Sequence, residues 1–152
     1  MSIEVELGQN CSVCGINNSD VDDVWNDVVP LIERALARSR GEFTVDDVRY
    51  CLTERLMQLW VAHNAEHKIE ACLVTQLAHY PRRKFLRIIA LGGKHSSHWD
   101  RGIELVFMWA RSLGCDGVES FSRPGIARLY KKFGFRSYYS VVGLDFQPLD
   151  VH

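Results

Sequence analysis

Hydrophobic residues recur along this chain with two different periods, and the order of those periods predicts alternating strands and helices. Ile3 to Leu7 interleaves apolar side chains with Glu4 and Glu6, the two-residue repeat of a short, edge-like strand. Gly8 to Asn18, rich in Gly, Asn and Cys, reads as loop. Ser19 with Asp22 has capping-box spacing, and Val21, Val24, Trp25, Val28, Leu31, Ile32 and Leu36 then share one helical face to about Arg38. Pro30 inside that run predicts a break or a kink, because proline lacks the N–H and crowds the preceding turn. Gly41 interrupts. Thr44 with Asp47 forms a second capping box, ahead of a helix that carries Val48, Cys51 and Leu52 to about Arg55.

The period then shortens. Leu56 to Ala62 reads as a strand, His63 to Lys68 as a polar turn, and Ile69 to Ala78 as a second strand. After the turn Pro81-Arg82-Arg83-Lys84 comes a third, more buried strand, Phe85 to Leu91, ended by Gly92-Gly93. Three strands joined by short turns predict an antiparallel meander. A polar loop from Lys94 to Trp99 leads to Asp100 as a cap. The helix that follows carries Ile103, Leu105, Val106, Met108, Trp109 and Leu113, up to the C-cap glycine Gly114. Cys115 to Phe121 is a short strand. Pro124 fits a first helical turn, with Ile126, Leu129, Tyr130 and Phe133 on one face before Gly134. Phe135 to Phe146 is aromatic and β-rich, with Gly143 as a bulge. The expected fold class is α/β: one domain over residues 1–152, a mixed central sheet with helices on both faces, and a right-handed parallel β-α-β step after Gly92.

Composition narrows the function classes. With 152 residues, 47% of them hydrophobic and 24% charged, the chain can build an ordinary core without a disulfide or metal staple. Eighteen Lys and Arg against 19 Asp and Glu leave −1, which argues against nucleic acid or an anionic membrane surface as the main partner. The apolar runs fall short of a membrane span, and the acidic, alternating start is unlike a signal peptide. Five scattered cysteines, an odd count, favour a reducing compartment and a cytoplasmic protein. Cys11-x-x-Cys14 has metal or redox spacing but no second pair, and His95 with His98 lacks a third ligand, so no metal is expected. Trp25, Trp60, Trp99 and Trp109 read as core or interface aromatics, and Arg82-Arg83-Lys84 as a solvated turn.

Two segments carry a resemblance. Trp109-Ala110-Arg111-Ser112-Leu113-Gly114-Cys115 looks like a helix end stepping into a strand, and Arg123-Pro124-Gly125-Ile126-Ala127-Arg128-Leu129-Tyr130-Lys131-Lys132-Phe133-Gly134-Phe135 is similar to an Asn-x-x-Ala-x-x-x-Tyr-x-x-x-Gly-Phe pattern. Tyr130, Gly134 and Phe135 match it, while Arg123 and Ile126 stand where Asn and Ala are usual. With the order of elements, these segments resemble the GNAT family of N-acetyltransferases. The resemblance implies an acyl-coenzyme A-dependent N-acyltransferase acting on an amine, with acetyl-coenzyme A as cofactor. It implies Tyr130 as the acid that returns a proton to the leaving thiolate, and a glutamate such as Glu70 or Glu119 as amine-proton acceptor; apart from the resemblance, His95 and His98 have a titration range suited to acid–base work. The resemblance also implies a cofactor cradle along Leu91, Gly93, Lys94, Arg101 and Gly102, with Arg123 close to the phosphates. Within that cradle, His98, Trp99 and Asp100 stand where the family has small residues; Trp99 fills space, and Asp100 competes with a phosphate for the helix dipole. That departure supports a second reading, a non-catalytic protein of this fold with a structural or partner-binding role. Compact members of this kind resemble ones encoded by bacteriophages, some of them virion components, which would place the chain in host cytoplasm or virion. A reduced last strand would leave an edge open to a protein partner or a second copy.

Overall fold

A computed structural model describes residues 4–6, 12–94, 100–122 and 130–147. Contacts divide the chain into two units, Met1–Glu119 and Ser120–His152.

The first unit is built on a six-stranded sheet whose strands lie in chain order: β1 (Glu4–Glu6), β2 (Ser12–Ile16), β3 (Gln58–His63), β4 (Ile69–His79), β5 (Lys84–Gly93) and β6 (Gly117–Ser120), the last residue of β6 falling in the second unit. Three helices complete it: α1 (Val21–Leu36), α2 (Val45–Thr53) and α3 (Asp100–Ser112). From β1 to β5 every neighbouring pair is antiparallel, and the meander is β3-β4-β5. At the β5–β6 junction, the Asp116 N–H donates to the Lys84 carbonyl at 2.7 Å, and Arg87 pairs with Glu119 at 2.8 Å. Both strands advance together, from Lys84 to Arg87 and from Asp116 to Glu119. That is parallel pairing, which the connection through α3 makes possible.

Alternation along the strands sends side chains to two helical layers. Leu59, Val61, Cys72, Val74 and Ala90 pack with Val28, Ile32, Val48 and Leu52 from α1 and α2. Trp60, Leu73 and Leu86 pack with Val106 and Ala110 of α3. The mixed sheet with helices on both faces is the expected fold class. Val21, Trp25, Val28, Leu31 and Ile32 are the buried stripe of α1, each contributing about 1.5–3 kcal/mol if a large side chain is fully withdrawn from water. The Thr44 box forms as expected: its Oγ1 accepts from the Asp47 N–H at 3.1 Å, and the Asp47 carboxylate accepts from the Thr44 N–H at 2.8 Å. The second bond holds the Asp47 carboxyl below its ordinary value.

Five expectations change. The loop expected over Gly8–Asn18 contains β2, an inner strand between β1 and β3; its Gly and Asn content mimics a loop, but Gly15 is small so that the Trp60 ring can lie 3.2 Å from where a Cβ would stand. Ser19 and Asp22 form no box, because the chain enters α1 through a 3-10 turn at Asn18–Asp20 and Asp20 takes the N-cap position. Pro30 does not break α1, which runs on to Leu36; the residue is exposed, so water can satisfy the carbonyl that loses its donor. Gly92 and Gly93 lie inside β5 rather than after it. Residues 135–147 form no strand, and Tyr139 and Phe146 are 93% and 95% exposed; β propensity acts through packing on a half-buried sheet, and side chains this exposed do not gain it. The helix expected at Pro124 falls on residues 123–129, outside the described ones.

Cys72, buried between sheet and α1, has its thiol pushed up to about 12 by burial. The unfolded chain loses that proton near the ordinary value of 9.0, while the folded chain keeps it. Between those values the unfolded state binds fewer protons, so stability falls as pH rises, by at most about 1.4 kcal/mol per pH unit from this group. Denaturant midpoints measured from pH 9 upward should fall less steeply for Cys72→Ala than for the parent; identical slopes would remove the assignment.

Candidate active site

The C-terminal half of β5 departs from regular pairing. Val74 faces Ala90 and Thr75 faces Ile88, which leaves Ile89 as an extra residue, a β-bulge. Ile89 and Ala90 therefore both meet the α1 and α2 cluster, while Ile88 and Leu91 both meet the α3 cluster. Beyond the bulge the strand needs glycine twice. A Cβ on Gly92 would stand 2.5 Å from the Leu31 carbonyl oxygen of α1, and one on Gly93 would meet the Glu70 carbonyl. Gly93 also has φ +105°, and the Lys94 N–H donates to the Glu70 carbonyl at 3.1 Å.

The edge of β5 away from β4 is where chemistry can occur. Lys84 is level with Asp116 and Arg87 with Glu119, the last residue of the first unit. β5 continues to Gly93, paired there with β4 alone among the strands of the described residues. N–H directions alternate along a strand. Because the Lys94 N–H points to β4, the Leu91 N–H points to the opposite edge. A main-chain donor at an open strand edge can hold an oxyanion.

The structure brings together Leu91, Gly93 and Lys94 at this end of β5, with the main chain of Glu70 beside Lys94 on the β4 side. Lys94 is exposed, and Glu70 sits half-buried on β4. Arg101, exposed, and Gly102, buried, lie in the first turn of α3. A Cβ on Gly102 would collide with Val13 of β2, so its smallness seats α3 on the sheet. Leu91, Gly102 and Val106 line an apolar cavity of about 40 Å³ with Val13, Ala62 and Ala71. His95, His98, Trp99 and Arg123 lie outside the described residues, as does Cys11. Among the described residues no group of three or more His, Cys, Asp or Glu side chains is placed to hold a metal, and no helix is long and apolar enough to cross a membrane.

Glu119, one expected proton acceptor, is committed to a cluster that sequence reading missed. Its Oε1 accepts from Arg87 Nε at 3.0 Å and from the Tyr80 hydroxyl at 3.0 Å, and Arg87 also donates to the Tyr80 oxygen at 2.8 Å. The available signal was weak: an Arg on an inward-alternating position of a buried strand, whose partner lies 32 residues away.

In the second unit, the matched residues Tyr130, Gly134 and Phe135 form one local structure. A 3-10 turn, Lys131–Phe133, ends at Gly134 in the left-handed region, φ +92°. That turn swings Phe135 back so that its ring stacks on Tyr130, with centroids 4.9 Å apart. The Tyr130 hydroxyl bonds the Ser120 and Ser122 side chains, which bond each other. Burial pushes the phenol above its ordinary value, so it stays protonated throughout the neutral range and is available as a donor.

No protein-family model matches the chain, and no curated protein does. Solved structures do. An aminoglycoside acetyltransferase, meta-AAC0020, from an uncultured soil metagenomic sample is 14% identical, with a TM-score of 0.66 over 95% of this chain and 100% of that one. A GNAT family acetyltransferase of Staphylococcus aureus is 15% identical, with a TM-score of 0.62 over 90% and 98%. A Trypanosoma brucei acetyltransferase is 16% identical, with a TM-score of 0.61 over 90% and 100%. At these identities the likeness is one of fold, and the chain has the fold of the GNAT acetyltransferases.

Proposed function

We propose that this protein is an N-acyltransferase that moves an acyl group from acyl-coenzyme A to an amine. The observation that carries the reading is the bulged end of β5 within an acetyltransferase fold; strand alternation back from Lys94 turns the Leu91 N–H to the edge away from β4. The residues present fit such a cofactor: a main-chain donor suits a carbonyl oxygen, and the exposed cations Lys94 and Arg101 suit phosphates.

Acyl-coenzyme A supplies a thioester carbonyl as the electrophile. The Leu91 N–H polarises that carbonyl and holds the charge that develops on its oxygen when the amine attacks. As the new N–C bond forms and the C–S bond breaks, the amine proton passes to a carboxylate, Glu70, or to His98. The Tyr130 hydroxyl gives its proton to the departing sulfur. We assign the cations Lys94, Arg101 and Arg123 to the phosphates, while Gly93 and Gly102 serve the close packing of β5 and α3.

Calorimetric titration with acetyl-coenzyme A and with coenzyme A tests this reading. Binding with measurable heat is expected. No heat and no thermal shift at millimolar ligand would overturn it in favour of a structural or partner-binding role. Given binding, Tyr130→Phe should lower kcat by about 100-fold or more, the contribution of a positioned general acid, with little change in the KM for acetyl-coenzyme A. An unchanged kcat would remove that role.

A further inference from the structure

We propose that Tyr80, Arg87 and Glu119 form a clasp that fixes where β5 leaves β6 and so positions the Leu91 N–H; the inference rests on the acyltransferase reading. None of the three is assigned to touch substrate, and they act as positioning residues.

The clasp sits at a single level of the sheet. Arg87 and Glu119 face each other across parallel strands, at 2.8 Å, immediately before the Ile89 bulge on one strand and the end of β6 on the other. β6 ends one residue after Glu119, whereas β5 continues to Gly93 paired with β4. Tyr80 ties in the third strand: it follows the end of β4, its N–H donates to the Arg83 carbonyl at 2.8 Å, and its ring meets Phe85 edge-on at 5.8 Å. The hairpin thus holds the Tyr80 hydroxyl where it can donate to Glu119 and accept from Arg87.

The side chains of Arg87 and Glu119 are 27% and 22% exposed. An ion pair in that setting adds little to stability by itself, because solvent screens it and two long side chains must be ordered. Its effect is geometric. One carboxylate oxygen accepts from both the guanidinium and the phenol, so the separation of β5 from β6 is set just below the place where β5 bends. Loosening it lets the bulged segment shift, and the Leu91 N–H with it.

The test measures Tyr80→Phe, Glu119→Gln and the double variant beside the parent, with thermal unfolding recorded for each. A misplaced donor costs transition-state stabilisation more than ground-state binding, so each single variant should lower kcat by about 10-fold. The Kd for coenzyme A, which lacks the acyl carbonyl, should change by less than about 3-fold. The double variant should be no worse than the weaker single variant, since both break one unit. The acidic limb of the kcat–pH profile should survive Glu119→Gln. An unchanged kcat overturns the clasp, as does a fall in coenzyme A affinity in step with kcat. Loss of the acidic limb overturns it in a different way, by making Glu119 the proton acceptor itself. If the parent binds no coenzyme A, the acyltransferase reading fails and the clasp fails with it; parent binding with unaffected variants sinks the clasp alone.

Discussion

Replacing Gly92 by alanine should lower the free energy of unfolding by about 3 kcal/mol, the upper part of the range for forcing an atom into a packed site. The new methyl would stand 2.5 Å from the Leu31 carbonyl oxygen, 3.0 Å from the Leu31 carbonyl carbon and 3.2 Å from the Leu31 Cβ. Two of these are backbone atoms in the middle of α1, so no rotamer change relieves the clash. Either α1 withdraws from the sheet, opening the cluster around Val28, Ile32 and Val74, or β5 moves. The second response displaces Leu91, so the variant should also lose more acyl transfer than its stability loss explains. Gly134→Ala is the control. A Cβ there meets nothing within 4 Å, and the only cost is the left-handed backbone, about 1–2 kcal/mol. Urea denaturation with an unchanged m-value measures both. Equal midpoint shifts for the two variants would show that contact with α1 is not what requires glycine at residue 92.

Trp60→Ala should be more damaging still, at about 3–5 kcal/mol, the range for deleting a large buried aromatic. Trp60 is 2% exposed and lies on an inner strand of the sheet, with its ring over Gly15. It meets Trp109 of α3 edge-on at 5.1 Å, and its indole N–H donates to Thr75 Oγ1 at 3.2 Å, inside the sheet. Removing it empties space beneath α3 and strips a donor from a threonine that water does not reach. Trp60→Phe should recover most of the packing but not the hydrogen bond, and so fall between parent and alanine. The denaturant midpoint, followed with a far-UV signal, checks the order. An alanine variant within about 1 kcal/mol of the parent would mean that α3 collapses onto the gap at little cost.

Both variants bear on what could be read along the chain. The stripe on α1 and the Thr44 box were legible because a helix face and a capping bond join residues three or four apart. The strands of the meander were legible for the same reason, through alternation and intervening turns. The unit of Tyr130, Gly134 and Phe135 also lies within one turn and its exit, so its pattern survives in the sequence as spacing. β2 was not legible. Ser12 to Ile16 is short, and what makes it a strand is Gly15 beneath Trp60 and pairing with β3, some 45 residues on.

The candidate site divides in the same way. Sequence located the stretch from Leu91 through Gly93 to Lys94, because glycines and a cation between a strand and a helix stand out locally. It read Gly92 and Gly93 as the end of the strand and put Gly93 in a cofactor cradle; the folded structure adds that Leu31 presses on Gly92 and Glu70 on Gly93. It could not show the extra residue at Ile89, since a bulge exists only against the register of β4. It weighed Glu119 as a free carboxylate, and tertiary structure ties that group to Arg87 and Tyr80.

Periodicity, caps and turns belong to neighbours along the chain, and for this protein they were enough to establish an α/β layering with helices on two faces. Strand register, the bulge at Ile89, the commitment of Glu119 and the close contacts that require Gly92 and Gly93 were decided only by the folded structure. They arise from groups brought together across tens of residues, and no local pattern records which distant backbone will arrive.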